Sequence, residues 1–385
     1  MKLNSYTLLF AFWALIIMGL VSCQKQNIEE PVTYNTTAYD FEIPYGFPTM
    51  LNIPDDNPIT VEGVELGRYL FYDGRLSGRT NPDEQLSCSS CHQQQYAFEA
   101  GIENPNFKNG HPRGFNGEQT HHVTLPLMNL IWNNSAYGWN GNVFKGNNNG
   151  NLNNIEDIVR VSFMAENEIG TDTTTVVEVL NSIDEYQKLF EKAFGSSKIT
   201  FKNVERAIAQ FVRTLVSSNS KFDRYLRGEE QLTQSEMNGY VLFTTEEGAD
   251  CFHCHGGGGN PLFTTHLFYN NGKESTFTDE FDRLFISGDP MDRGAYKATS
   301  LRNIKYQAPY MHDGRFKTLE EVIDMYSHSV LITPVVNPLM HHANTNGVQL
   351  TPQEKTDLLN FLYSLTDEDF INDPRFAKPN IMPGE

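Results

Sequence analysis

The spacing of apolar side chains along the chain predicts a mainly α-helical protein. Residues 61–72 carry apolar positions at the intervals of one helix face, and residues 201–215 repeat that pattern. Strand-like alternation is sparse, so we expect long loops between helices. Three further helices are predicted to begin at a threonine that has a glutamate three residues later, as a capping box requires: Thr233, Thr318 and Thr351.

Short motifs occur in the same order in the two halves of the chain. Each first-half motif has a second-half counterpart: Gly67-Arg-Tyr-Leu-Phe71 and Gly239-Tyr-Val-Leu-Phe243, Leu127-Met-Asn129 and Leu301-Arg-Asn303, Ile155-Glu-Asp-Ile-Val159 and Leu319-Glu-Glu-Val-Ile323. Such internal similarity indicates a duplication. We therefore expect two tandem domains, 46–198 and 199–370. The proline-broken tail, 371–385, is expected to lie over the surface.

The N-terminal residues predict export and a lipid anchor. Leu8 to Leu20 is an apolar run too short for a comfortable membrane span, and Leu20-Val-Ser-Cys23 closes it. Residues 1–22 therefore resemble a bacterial lipoprotein signal with Cys23 as the lipidated N-terminus. A plain signal peptide or an uncleaved anchor helix is the alternative. Residues 23–45 are polar and would tether the fold to the membrane on the periplasmic side of the cell envelope.

Length and charge narrow the class of protein. A chain of 385 residues can bury two cores. The formal charge of −19 argues against a nucleic-acid partner and against binding an anionic bilayer surface, which leaves the lipid anchor as the membrane contact. An acidic surface suits a small cationic electron carrier, or it simply keeps an exported protein soluble.

The four cysteines beyond the leader all lie in Cys-x-x-Cys-His motifs, Cys88 to His92 and Cys251 to His255. This spacing is typical of c-type haem attachment. Two thiols on one helical turn can each add to a vinyl group of one porphyrin, and the following histidine then presents its imidazole to the iron. A four-cysteine zinc site is the alternative, although about 160 residues separate the two pairs. The sequence thus predicts two covalent haems, attached through these four thiols: Cys88, Cys91, Cys251 and Cys254.

Two further segments, Asp292-Arg-Gly-Ala-Tyr-Lys-Ala-Thr-Ser-Leu-Arg-Asn303 and Ala308-Pro-Tyr-Met-His-Asp-Gly314, complete a resemblance. Over about residues 50–370 the chain is similar to the bacterial di-haem cytochrome c peroxidase family, including its MauG-like branch. The resemblance implies tandem class I cytochrome c-like domains, in which His92 and His255 are the proximal haem ligands. It also implies that hydrogen peroxide reacts at the N-terminal haem and that the C-terminal haem relays electrons.

The implied function is reduction of peroxide to water with electrons from a small c-type cytochrome or a copper protein. Members of this family are often homodimers. A MauG-like oxidase that acts on a protein or another large substrate is the alternative enzyme. A plain di-haem electron carrier is the alternative from a different class.

The resemblance assigns roles to two side chains of the first domain. Glu168 corresponds to the carboxylate near the open face of the peroxide-reacting haem, where it could take up and return a proton. Trp139 corresponds to the tryptophan between the two haems, where a large indole would shorten the electron-transfer distance. Without the resemblance, a solvated glutamate and a core tryptophan would be the ordinary interpretations.

The sixth ligand of the second haem stays open. In the family it lies fourteen residues after the histidine that corresponds to His312, as methionine in ordinary peroxidases and as tyrosine in MauG. Here that position is Tyr326, with Met340 and the neighbouring Met325 as alternatives. A methionine ligand raises the reduction potential. His312 itself is expected to pack or hydrogen-bond near a haem propionate.

The chain departs from the family pattern at several positions. A glutamine ten residues before the catalytic glutamate is replaced by Ile158. The asparagine that binds an inter-domain calcium ion is replaced by Val123, which would leave main-chain carbonyls near Gln307 and Pro309 to hold that ion. The loop histidine that ligates the resting first haem has no clean counterpart, and nearby histidines are expected to be surface or propionate contacts: His111, His121 and His122. His253 is expected to be incidental.

Overall fold

Helices make up nearly all of the regular structure in the computed structural model, which describes residues 36–104, 108, 110–141, 154–257 and 259–385. The predicted lipidation site Cys23 and most of the leader and tether lie outside the described residues. In chain order the helices are α1 (Val61–Tyr72), α2 (Cys88–Cys91), α3 (Ile155–Met164), α4 (Thr173–Asn181), α5 (Asp184–Phe194), α6 (Phe201–Arg213), α7 (Lys221–Leu226), α8 (Gln234–Thr244), α9 (Phe252–His255), α10 (Arg283–Ser287), α11 (Leu319–His328), α12 (Pro352–Ser364) and α13 (Glu368–Asn372).

Within the described residues, the strands are one short pair, apart from isolated bridges. Strands β1 (Phe268–Tyr269) and β2 (Tyr296–Lys297) run antiparallel, with Phe268 opposite Lys297 and Tyr269 opposite Tyr296. The prediction of a mainly α fold with long loops is confirmed. Within the described ranges, none of the helices is both long and apolar enough to cross a bilayer.

The predicted helix starts are confirmed by their capping contacts. The hydroxyls of Thr233, Thr318 and Thr351 each accept a hydrogen bond from the backbone N–H three residues on. The glutamate at that position accepts one in return from the backbone N–H of its threonine. These reciprocal bonds satisfy donors that a helix start leaves without a partner, so α8, α11 and α12 begin where local sequence dictates.

Two helix crossings show the internal repeat directly. Helix α1 crosses α6 at Gly67, where a Cβ would overlap the backbone carbonyl of Ala207 and the Cβ of Phe211. Helix α8 crosses α12 in the same way at Gly239, against the Asp357 carbonyl and Phe361. The glycine in each motif therefore permits close approach of a helix pair, which is a packing requirement shared by both halves.

Each half has its own hydrophobic core. The first is built from α1, α3, α4, α5 and α6, and the second from α7, α8, α11 and α12. Helix α6 has a strongly apolar face that is buried in the first core, whereas the predicted boundary at residue 199 placed it in the second domain. The chain therefore passes from one core to the other after Arg213.

The repeated asparagines meet between the two cores. Asn129 and Asn303 both adopt positive φ, +59° and +57°, and both contact Ser217. The Asn129 amide donates to the Ser217 carbonyl at 3.0 Å, and the Asn303 amide donates to its hydroxyl at 3.0 Å. The neighbouring Arg302 is fully buried and makes a bidentate pair with Asp223 at 2.6 and 2.8 Å. The Leu301-Arg-Asn303 segment thus links α7 of the second core to Ser217, where the chain passes between the two cores.

Both ends of the described chain are docked onto the first half. Before α1, the Tyr39 N–H donates to the Ile59 carbonyl at 3.1 Å, so the last part of the predicted tether is held against the fold. The tail, 371–385, was expected to lie over the surface. Phe376 of this tail is instead buried in the first core, beside Phe370 of α13, because burial of its ring stabilises the docked segment without helical periodicity.

Candidate functional site

Two cavities lie beside the two Cys-x-x-Cys-His motifs. The first cavity, about 370 Å³, is lined by Cys91 and His92. The second cavity, about 230 Å³, is lined by Cys251, Cys254 and His255. All four cysteines are free thiols. Cys91 and the pair Cys251 and Cys254 line different cavities, and no group of possible metal ligands in the described residues brings the four thiols together, as the zinc alternative required.

The two proximal histidines are held alike. His92 Nδ1 donates to the Phe98 carbonyl at 2.7 Å, and His255 Nδ1 donates to the Thr299 carbonyl at 3.1 Å. Burial lowers the pKa of each imidazole to about 4, so both rings are neutral. A neutral imidazole whose Nδ1–H is engaged keeps its Nε2 lone pair for a metal. Two thiols and one such imidazole beside each cavity fit a covalently attached haem.

Trp139 lies between the cavities and lines both of them. Its indole N–H donates to the Val123 carbonyl at 2.9 Å, and its own carbonyl accepts from the Lys297 N–H at 2.8 Å. Lys297 belongs to β2 of the second half, so Trp139 is held to the first half through its indole and to the second half through its carbonyl. The position predicted to bridge two cofactors therefore forms part of the wall that they would share.

Glu168 lines the first cavity, in the loop after α3. Its carbonyl accepts from the Phe115 N–H at 2.9 Å, and Ser162 hydrogen-bonds its carboxyl group. A Cβ at Gly114 would overlap the backbone of Asn167, so this glycine lets the 114–116 loop press against the glutamate. Burial raises the pKa of Glu168 above its ordinary value of 4.5, and the Ser162 bond only partly offsets that effect. The carboxyl group thus lies on the first cavity with a pKa shifted toward neutral pH.

Comparison with known proteins identifies the family. A family model described as di-haem cytochrome c peroxidase matches residues 61–231. The methylamine utilization protein MauG of Methylorubrum extorquens is 30% identical, over 92% of this chain and 94% of its own. The chain belongs to the di-haem cytochrome c peroxidase family. Membership implies an oxidoreductase with two c-type haems, in agreement with the two cavities.

Relatives of this chain include proteins named MauG and proteins named cytochrome c peroxidase. The cytochrome c551 peroxidase of Nitrosomonas europaea is 32% identical, over 69% of this chain and 73% of its own. A solved structure of a MauG-like protein associated with microbial copper homeostasis is 34% identical with a TM-score of 0.75, and it covers 89% of this chain and 99% of that one. The family is therefore established, whereas the division between its peroxidase and MauG-like branches rests on the site.

The second cavity contains more than one candidate for a sixth ligand. Tyr326 and Met340 both line it, while Met325 is buried in a small cluster with Val330 and Ala343. Asn271 Nδ2 donates to the Tyr326 hydroxyl at 3.1 Å and lies 3.9 Å from the Met311 sulfur, so that sulfur is close to the same spot. Sequence reasoning missed Met311, which lies inside the Pro-Tyr-Met-His motif and also lines the cavity.

The remaining histidines divide by position. His121 and His122 line the first cavity, whereas both ring nitrogens of His111 face backbone carbonyls. His312 lines the second cavity. His253, expected to be incidental, pairs with the Asp250 carboxylate at 2.6 Å.

A buried cation between the cavities was also missed by sequence reasoning. Lys297 lines both cavities, and its ammonium group donates to the carbonyls of Ala136 and His266 at 2.7 and 3.0 Å. Burial lowers its pKa to about 7. His266 Nε2 is buried on the first cavity without a hydrogen-bond partner in the described structure. Two such groups beside the cavities fit the carboxylates that a haem carries.

Proposed function

We propose that this protein reduces hydrogen peroxide to water with electrons from a small redox protein. The observation that carries the proposal is the first cavity, which His92, Glu168 and Trp139 line together. When bound, the two haems supply the redox chemistry. The chain supplies the axial ligands, the proton-transfer group and the electron path.

Glu168 would manage the protons of the reaction. Cleavage of the O–O bond requires that a proton leave the peroxide oxygen that stays bound and reach the oxygen that departs as water. A carboxylate within hydrogen-bonding reach can do both. Its raised pKa brings it nearer to neutral pH, where a group that must accept a proton and then return it works best.

Trp139 would carry electrons between the two cavities. Electrons would enter at the second cavity from a small c-type cytochrome or a copper protein. The acidic chain, with a formal charge of −19, suits a cationic donor because opposite charges steer association.

A MauG-like oxidase is the second candidate, and a specific observation favours it. The phenol of Tyr326 faces the second cavity with its hydroxyl held by Asn271. A phenolate ligand would stabilise oxidised iron, whereas Met340 would favour an electron relay. The haem pair would then hold the oxidising equivalents until they oxidise a large substrate.

The setting of the protein is part of the proposal. The lipoprotein-like leader would place it on the periplasmic side of a membrane, anchored through Cys23 and able to form a homodimer. An inter-domain calcium ion would depend on carbonyls near Gln307 and Pro309, since Val123 offers no side-chain ligand. Glu99 lines the same cavity as these two residues, and its carboxylate could replace the missing asparagine.

The test is a turnover measurement on the holoprotein that carries both haems. Reduced horse-heart-type cytochrome c and an azurin-type copper protein are offered separately with peroxide, and donor oxidation is followed optically. Rapid oxidation that depends on peroxide supports the peroxidase. A slow donor reaction together with a long-lived oxidised spectrum after stoichiometric peroxide favours the MauG-like oxidase. No spectral response to peroxide would leave only the electron carrier.

A further inference from the structure

Four aromatic side chains form a continuous column at the boundary of the two cavities. The Trp139 ring lies edge-on to His312, with centroids 6.4 Å apart. His312 stacks on Tyr296 at 3.6 Å with 9° between the ring planes, and His122 lies edge-on to both of these rings at 5.6 and 5.7 Å. This column, defined as Trp139, His312, Tyr296 and His122, begins at the wall shared by both cavities.

A carboxylate stands at the phenol end of the column. The Tyr296 hydroxyl donates to Asp279 Oδ2 at 2.6 Å, and His122 Nε2 donates to the same oxygen at 2.7 Å. The other oxygen, Oδ1, accepts from the Phe281 N–H at 2.8 Å. Burial alone would raise the pKa of Asp279, but the bonds from His122 and Tyr296 outweigh it and hold the pKa below its ordinary value. The carboxylate is therefore ionised and accepts the phenol proton in a short hydrogen bond.

We propose that Tyr296 is a redox-active side chain that gives one electron to the oxidised haem pair while its phenolic proton moves to Asp279. The inference rests on the proposed function, since hydrogen peroxide is the oxidant. Peroxide takes two electrons and two protons and leaves as water. One of those electrons is replaced from Tyr296 through His312 and Trp139, which leaves a neutral tyrosyl radical and a protonated Asp279. An electron from the donor protein later reduces the radical, and the proton returns to the phenol.

The geometry singles out this tyrosine. A phenol loses an electron far more easily when a base can take its proton in the same step, because an oxidised phenol is a strong acid. In the described structure four tyrosines line the second cavity: Tyr269, Tyr296, Tyr310 and Tyr326. Their hydroxyls contact, in that order, the Thr265 hydroxyl, the Asp279 carboxylate, the Ile304 carbonyl and the Asn271 amide.

The position of Tyr296 gives its oxidation a function. The residue is half-buried and lies outside the first cavity, so a radical there would be separated from peroxide. It is also connected to the shared wall by the stacked His312 ring. One oxidising equivalent could wait at Tyr296 until the donor delivers its second electron. That delay would matter whenever the donor carries a single electron, as a cytochrome or copper protein does.

The test is electron paramagnetic resonance of the holoprotein, frozen within a second of adding stoichiometric peroxide. We expect a tyrosyl signal that changes shape when the protein contains ring-deuterated tyrosine. The signal should be lost in Tyr296→Phe, which keeps the stacked ring and removes only the hydroxyl. It should fall severalfold in Asp279→Asn, which keeps the shape of the side chain but removes the base.

Tyr269→Phe is the matched control, because this tyrosine lines the same cavity and its hydroxyl meets Thr265 instead of a carboxylate. The signal should survive in it. The haem spectrum, recorded on the same samples, separates two kinds of failure. A normal response of the haems to peroxide, with no tyrosyl signal or with a signal that persists in Tyr296→Phe, overturns the inference and spares the proposed function. Haems that do not respond to peroxide overturn both.

Discussion

Replacement of Glu168 by glutamine isolates the proton-transfer role of the first cavity. Glutamine has the same shape and can keep the hydrogen bond to Ser162, but it cannot ionise. A single general acid–base group typically contributes about 10²–10⁴-fold to a rate. We therefore expect the second-order rate constant for the reaction with peroxide to fall by about 10²–10⁴-fold in Glu168→Gln, with unchanged haem content.

The pH dependence of the same rate constant gives a second test. Burial raises the pKa of Glu168 above 4.5, and the ionised form is needed to accept the peroxide proton. The wild-type rate should therefore decrease as pH falls through a midpoint above 4.5, and Glu168→Gln should lack this acid limb. The contribution of Glu168 to the free energy of unfolding should change with pH in the opposite direction to the rate. A carboxyl group with a raised folded-state pKa loses stability as pH rises from its unfolded to its folded pKa, so the variant should be at least as stable at neutral pH.

Stopped-flow mixing with peroxide from pH 4.5 to 8 measures the rate loss in Glu168→Gln and the acid limb of the wild-type rate. The matched control is Glu166→Gln, two residues away on the same loop, whose side chain is exposed. A loss of less than about tenfold in Glu168→Gln, set against the 10²–10⁴-fold range, would refute the assigned role. An equal loss in Glu166→Gln would show that the loop, and not the carboxyl group, sets the rate.

Four further substitutions test the packing, the electron path and the second cavity. Gly239→Ala places a methyl group against the Asp357 carbonyl, so we expect a loss of about 1–3 kcal/mol or more in the free energy of unfolding by denaturant titration, and an unchanged midpoint would contradict the crossing. Trp139→Phe should slow re-reduction of the peroxide-oxidised protein by its donor without changing the initial reaction with peroxide, as separate stopped-flow phases will show. Tyr326→Phe should change the low-spin haem spectrum and raise the potential of the second haem if the phenolate is its ligand. A changed spectrum with a lowered potential in Met340→Leu alone would instead assign the ligand to the thioether.

The parts of the fold that local sequence controls could be predicted well. Helix α1 spans the predicted residues, and the threonine-capped starts are correct, because capping and periodicity act within one or two turns. The repeated glycine could be recognised in the sequence, because the same short motif occurs in both halves. Its packing role could not, since Gly67 contacts Ala207 and Gly239 contacts Asp357 across about 120–140 residues of chain.

The contents of the second cavity could not be predicted to the same degree. Its candidate ligands come from separate segments: Met311 from the Pro-Tyr-Met-His motif, Tyr326 from α11 and Met340 from the loop beyond it. The path of the loops, and not local helix propensity, decides which of these side chains reaches the middle of the second cavity. The burial of Lys297 was hidden for a similar reason, because its two carbonyl partners and the wall at Trp139 come from other parts of the chain.

The repeat also explains why two similar cavities can have different chemistry. If Ile155 corresponds to Leu319, then Ser162 of α3 corresponds to Tyr326 of α11, and both side chains line their cavities. In the first half the small serine leaves room and hydrogen-bonds Glu168, which enters from the following loop. In the second half the phenol fills the equivalent space. The proximal sides, with His Nδ1 donating to a carbonyl, are alike in the two halves. Under the proposed function, this one helical position would leave the first cavity open for peroxide and fill the second for electron storage or relay.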